Sequence, residues 1–352
     1  MPSLTRASAP LARIALIAAA GLVAAGCGAP ESGSGPEGGG ASGGDWSPVT
    51  IEHAYGSTEI EQKPERIVTV GWSDEATLLE LGIVPVGMAA STYAGDEEGY
   101  LPWDLEKIEE LGAEKPELIN TDDGIPVEKI ASLAPDLVLG VQSGMEEAQY
   151  EQLSEVAPTI PYLDQPWMTE WQKQTVTIGR AVGMEEEAQR IADDTMAYIE
   201  GLAEDHSEFE GTDYAVGTVM PSTGEFGFYV GQDARPVLME QLGFTPAGFV
   251  DDLSVADGQF YGTLSLENAD KIDAEVLVMW FNSAEERKRL ADNTVFQQVD
   301  AVQNGGYIAY EDPEQSMAIS TPNPLTIPWV MDGFSQRLAA AAKGEADPAP
   351  QA

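Results

Sequence analysis

Few side chains in this 352-residue chain could do covalent or metal chemistry. There are two histidines, His53 and His206, and one cysteine, Cys27. His53 falls in an amphipathic β-type stretch. His206 falls near a predicted helix C-terminus, where the helix dipole favours a cation. Both are expected to be structural. A four-ligand zinc site needs clustered His and Cys, and the sequence has no such cluster. It also lacks a Gly-x-x-x-x-Gly-Lys-Ser/Thr phosphate loop. Nothing suggests a Ser-His-Asp arrangement, so paired carboxylates among the 60 acids are the acid–base chemistry left open. The expected class is a binding protein rather than an enzyme.

The conspicuous residues are aromatic. In α/β lobes, ligands gather beyond the C-terminal ends of parallel strands. β-type runs at 67–70, 84–87, 137–140 and 276–279 supply such ends. Beyond them come Trp72, then Ser91, Thr92 and Tyr93, then Gln142, then Trp280 and Phe281. Trp103 and Trp167 lie in adjacent loops, and Phe228, Tyr229 and Arg235 flank a turn before a helix. Aromatic rings offer a bulky ligand apolar area and a polar edge. The candidate ligand-binding residues are therefore Trp72, Tyr93, Trp103, Trp167, Tyr229, Arg235 and Trp280. Phe281 is weighted toward the core. Among the arginines beyond the leader, Arg235 alone falls at a cleft-facing turn; its planar fork suits oxygen acceptors.

The elements that must position these residues alternate between strand and helix, which reads as α/β with two lobes. The first lobe has a further strand at 159–162 and helices at 73–82, 127–133 and 171–182, the first of them capped by Ser73. A long helix at 185–206 carries Ala188, Ile191, Thr195, Ile199 and Leu202 at spacings of three and four. It is long enough to bridge two lobes. Strands at 214–220, 226–230 and 307–310 and helices at 236–242 and 325–342 build the second lobe. The halves echo each other. Glu128 stands eight residues before Asp136, which opens a strand, and Glu267 stands eight before Glu275, which opens another. Leu78 to Gly82 likewise echoes Leu238 to Gly243 with one residue inserted.

At the N-terminus, Arg6 and Arg13 precede a charge-free apolar run at 14–25. Twelve residues fall short of the ~20 that a bilayer-spanning helix needs; length and flanks fit a secretory signal. Val23-Ala24-Ala25-Gly26-Cys27 resembles a lipoprotein processing site, with Ala24 where that site usually has Leu. A lone cysteine makes no internal disulfide, and Cys27 is expected to be lipidated. The Gly-, Ser- and Pro-rich segment that follows reads as a flexible tether. The net charge of −43 excludes nucleic acid and adsorption to anionic lipid. The expected organisation is a signal at 1–27, a tether at 28–47, a first lobe at 48–184, a bridging helix at 185–207, a second lobe at 208–343 and a tail at 344–352.

Four segments resemble those of the iron–siderophore substrate-binding lipoproteins of Gram-positive bacteria, relatives of ferrichrome-, ferrioxamine- and vitamin B12-binding proteins. They are Lys63-Pro64-Glu65-Arg66-Ile67-Val68-Thr69, Leu81-Gly82-Ile83-Val84-Pro85-Val86-Gly87, Glu128-Lys129-Ile130-Ala131-Ser132-Leu133-Ala134-Pro135-Asp136-Leu137-Val138-Leu139 and Leu153-Ser154-Glu155-Val156-Ala157-Pro158-Thr159. Their order and spacing carry the likeness, which covers roughly 49–342. The resemblance implies two Rossmann-like α/β lobes joined by one long helix, a ligand between them and modest closure. It implies capture of a ferric siderophore outside the cell, delivery to an ABC permease and its ATPase, and a lipid-anchored monomer on the outer membrane face. It also implies that Glu128 and Glu267 dock into permease arginines. Iron would be held through its chelator, with no protein-bound metal and no cofactor. One cleft arginine in an acidic chain favours a neutral or cationic hydroxamate complex, since a trianionic catecholate would want several cations. Cobalamin or haem as the ligand, or a sensor or scaffold role in the envelope, stay open.

Overall fold

A computed structural model describes residues 46–220, 223–231, 233–256 and 259–347. The signal segment, Cys27 and the tether up to residue 45 lie outside the described residues. The chain takes hold at Trp46, inside the expected tether: its indole N–H donates to the Ile60 carbonyl at 3.3 Å.

A hairpin opens the fold, β1 (Val49–His53) and β2 (Gly56–Ile60). The first lobe follows, built from β3 (Ile67–Thr69), α1 (Asp74–Glu80), β4 (Gly87–Ala89), α2 (Pro102–Glu110), β5 (Glu117–Ile119), α3 (Val127–Ser132), β6 (Leu137–Leu139), α4 (Glu147–Ser154), β7 (Thr159–Ile160) and α5 (Trp171–Ala181). Its five strands are all parallel, in the order β5-β4-β3-β6-β7. Prolines trim the predicted strands. Pro85 has no N–H to give the ladder, so β4 starts at Gly87 rather than 84, and Pro161 stops β7 at Ile160.

The long helix α6 (Glu185–Asp205) then leads to the second lobe. That lobe holds β8 (Asp213–Val219), β9 (Phe226–Tyr229), α7 (Ala234–Gln241), β10 (Thr245–Pro246), α8 (Gly248–Asp251), β11 (Tyr261–Leu264), β12 (Val276–Trp280), α9 (Ala284–Ala291), α10 (Asp300–Gln303), β13 (Tyr307–Tyr310), α11 (Pro313–Ser320) and α12 (Thr326–Ala342). Here β8, β12 and β13 run parallel, while β9 and β11 add on antiparallel. The parallel core β8-β12-β13 repeats β3-β6-β7, which is the echo legible in the sequence.

Strand parity assigns each side chain to a face. On β12, Val276, Val278 and Trp280 enter one apolar cluster, and Leu277, Met279 and the following Phe281 enter the other. Phe281 is therefore core, as expected. On α6, Ala188 and Ile191 pack into the first lobe, whereas Ala192 and Ile199 join a cluster shared with the second. Its 21 residues span about 31 Å at 1.5 Å each. The shared cluster is the principal seam between lobes: Ala76, Leu79, Leu101 and Trp103 of the first meet α12 of the second.

Trp103 belongs to this seam, which corrects its placement among the cleft residues. It is 2% exposed and meets Trp329 edge-on at 5.2 Å. The loop position that suggested a cleft is in fact the first turn of α2, whose buried face carries the ring inward. Asp104 beside it is also fully buried, and neither carboxyl oxygen has a hydrogen-bond partner. Burial pushes its carboxyl up to about 8. Glu75, buried on α1, is raised too, by burial and then by Asp104.

Two outcomes are expected. Trp103→Ala should lose about 3–5 kcal/mol in urea unfolding, the usual cost of emptying a buried aromatic site, and Trp103→Phe much less. A folded-state carboxyl that titrates above its unfolded value keeps its proton longer in the native chain, so stability falls as pH rises through that window. For Asp104 the window runs from the ordinary aspartate value of 3.8 to about 8. Asp104→Asn should therefore shrink the drop in melting temperature between the two ends of that window. Parallel curves for the parent and the variant would refute this account.

Candidate functional site

The loops beyond β3 and β6 are held by one carboxylate. Asp74 is fully buried and accepts N–H bonds from Val141 at 2.9 Å, Gln142 at 3.2 Å and the Gln174 side chain at 2.7 Å. Burial pushes its carboxyl up to about 6, against the opposing pull of these donors and of the Gly71 N–H. A Cβ at Gly71 would come within 2.3 Å of the Asp74 carboxyl, so glycine is required there. Ser73 does not cap α1 as predicted: it sits at φ 61° with no capping bond, and Asp74 and Glu75 turn inward instead. The lattice fixes Trp72. Its N–H donates to the Gln142 carbonyl at 2.8 Å, and its own carbonyl accepts from Gln174 at 3.2 Å.

Trp72 is 44% exposed and packs on Trp167, ring centres 5.0 Å apart. Trp167 takes φ 65° and is pinned at both ends of its peptide, its N–H to the Ser143 carbonyl and its carbonyl to Gln142 Nε2. Gly144 makes room for its indole, which a Cβ there would strike at 2.3 Å. Tyr93, beyond β4, is 45% exposed. Trp72 and Tyr93 line two adjoining cavities that also share Met317 of α11. The smaller, about 150 Å³, lies against the first lobe and has Glu75 in its wall. The larger, about 340 Å³, opens onto the second lobe with Tyr229, Arg235, Phe260 and Trp280.

Arg235 is already engaged. Asp233 caps α7 and grips the guanidinium twice, Nε to Oδ1 at 2.8 Å and Nη2 to Oδ2 at 2.7 Å. The guanidinium lies 3.4 Å over the Tyr229 ring. Trp280 is 7% exposed and donates to Ser320 at 3.3 Å, so only its edge reaches the cleft. Among the described residues lining the two cavities, Arg235 is the sole Lys or Arg.

Trp72, Tyr93, Tyr229, Arg235 and Trp280 thus converge on one cleft, with Trp167 backing Trp72. Trp103 does not. Glu128 and Glu267 are exposed, each in the first turn of a short helical segment that leads into β6 or β12. The histidines lie elsewhere. Burial lowers His53, which bonds Thr58 at 2.9 Å in the hairpin, and His206 stacks on Phe209. No group of three or more His, Cys, Asp or Glu is placed to hold a metal among the described residues. Sequence reading passed over Met317 and Ser320, which follow β13; the strand-end rule, applied to that strand, would have reached them. It also passed over Phe260, on an antiparallel edge, and Glu75, which reads as an ordinary first-turn helix acid.

Comparison with known proteins agrees with this architecture. Residues 67–313 match the model of the periplasmic binding protein family. The Fe(3+)-citrate-binding protein YfmC of Bacillus subtilis (strain 168) is 26% identical over 71% of this chain and 74% of its own. The iron uptake ABC transporter substrate-binding protein PiaA of Streptococcus pneumoniae TIGR4 is 30% identical, covering 84% of this chain and all of PiaA, with a TM-score of 0.72. In its complex with ferrichrome, PiaA superposes with a TM-score of 0.76, at 29% identity over 84% of this chain and 99% of PiaA. The chain belongs to the periplasmic binding protein family, whose members bind and hand over solutes rather than transform them.

Proposed function

We propose that this chain is the extracytoplasmic binding component of an ABC importer, that it captures a ferric siderophore of hydroxamate type, and that Cys27 anchors it by lipid to the outer membrane face. The observation that carries the ligand reading is the state of Arg235. A trianionic catecholate or citrate complex would want free cations, and here the cleft's guanidinium is neutralised by Asp233 and stacked on Tyr229. What the cleft offers instead is aromatic area: Trp72, Tyr93, Tyr229 and Phe260, with polar atoms at the rims. That suits the weakly charged shell of a ferric trihydroxamate, as ferrichrome is. None of the described helices is long and apolar enough to cross a membrane. Delivery would require a permease and its ATPase, and Glu128 and Glu267 are the docking residues in this reading, one exposed carboxylate per lobe.

Tryptophan fluorescence of the chain from residue 28 onward tests the ligand. Ferrichrome or a ferrioxamine should quench it saturably at submicromolar concentration, with no response to the iron-free forms or to cobalamin. Tight binding of a ferric tricatecholate, ferric citrate or haem, with none of a hydroxamate, would overturn the reading. The docking assignment is checked separately. Reversing Glu128 and Glu267 to Lys should abolish uptake by cells while leaving the ferric ligand's Kd within about twofold, because rim charges act on encounter with the partner.

A further inference from the structure

The smaller cavity ends on a carboxyl that the chelate shell does not call for. Glu75 is 3% exposed and lines the cavity beside Trp72, Leu101 and Met317. Its carboxyl accepts from its own backbone N–H and, at a long 3.4 Å, from the Thr69 hydroxyl. Behind it stands Asp104, fully buried, with neither oxygen partnered. Asp74 next door cannot help, since its oxygens are saturated by N–H donors. Among the described residues no Lys or Arg forms an ion pair with any of the three; Lys107 on α2 is spent on Glu80 and Glu110. Arg235 across the cleft belongs to Asp233. Buried polar groups are almost always paired, and one left without a partner calls for an explanation. Of the two, Glu75 lines the ligand cavity and Asp104 lies buried away from it. No Lys or Arg among the described residues supplies the pair with a counter-charge.

We propose that Glu75, backed by Asp104, is a subsite for a protonated primary amine carried on an arm of the bound chelate. Leu101 and Met317 line the passage for its methylenes, and the Trp72 face offers a cation–π contact to the ammonium. This rests on the ferric hydroxamate reading and narrows it to cationic members of that class. In the empty cleft the raised pair holds a proton; the incoming ammonium displaces it to solvent.

Two linear ferric trihydroxamates identical except at one end, with a free amine or with that amine acetylated, test the subsite. The parent chain should bind the free amine at least about tenfold tighter, since a charge-assisted hydrogen bond to a buried carboxylate is worth about 1.5–3 kcal/mol, and Glu75→Gln should bring the two affinities together. Calorimetry of the parent in buffers of different ionisation enthalpy supplies a readout without a variant: proton release on binding the amine, and none with the acetylated form. Equal affinity of the parent for both chelates, or a preference that survives Glu75→Gln, would overturn the subsite and leave the hydroxamate reading standing. Binding of neither chelate would overturn both.

Discussion

The cleft depends on the carboxylate of Asp74. It collects N–H bonds from the loop after β3, the loop after β6 and a helix that follows the first sheet. The Trp72 peptide ties the same three segments a second time, through Gln142 and Gln174. A buried acceptor with several donors is costly to disturb from either side, because each orphaned donor loses about 1–3 kcal/mol. The result is a stiff base from which Trp72 projects, with Trp167 braced behind it. An exposed tryptophan is normally free to change rotamer. Here the peptide on both sides is fixed, so the ring can meet a ligand without first being ordered.

A second constraint acts between the lobes. The apolar seam around Trp103 and Trp329 runs beneath the cleft, and α6 threads from one lobe's core into the other's. The Tyr198 hydroxyl on α6 donates to Asp332 on α12 at 2.6 Å, and Trp171 at the start of α5 reaches Gln241 on α7. Opening the lobes widely would expose this seam to water. That exposure opposes wide opening, while Tyr93 and Met317 line the cleft above the seam.

Much of this was legible in the residues. The buried parallel strands, the long bridging helix and the paired glutamates before β6 and β12 follow from hydrophobic runs, helical spacing and repetition. The rule that ligands collect at strand ends pointed to Trp72, Tyr93 and Trp280, and a turn before a helix pointed to Tyr229 and Arg235; the fold brings these five to one cleft. Trp103 entered by its place in an adjacent loop, which misleads because a loop residue and the first residues of a helix look alike in sequence, and only the packing of α12 decides which way the ring turns; the strand-end rule had its own gap. It was silent on Asp74 and Glu75. Two adjacent acids at a helix start normally face water and favour the dipole. Their inward turn follows from Ser73 entering the left-handed region, a backbone choice that no spacing reveals. The Asp233 grip on Arg235 was equally hidden, since any acid two residues away could as well have pointed outward.

The Asp233–Arg235 pair has an evolutionary corollary. Asp233 has two jobs, capping α7 and neutralising the guanidinium, and only the second needs its charge. Asparagine caps a helix about as well as aspartate. A one-residue change there would keep the helix, the cleft shape and the stacked Tyr229, yet would hand the cleft a free cation. On the ligand reading proposed above, that one substitution would turn a cleft suited to weakly charged chelates toward anionic ones.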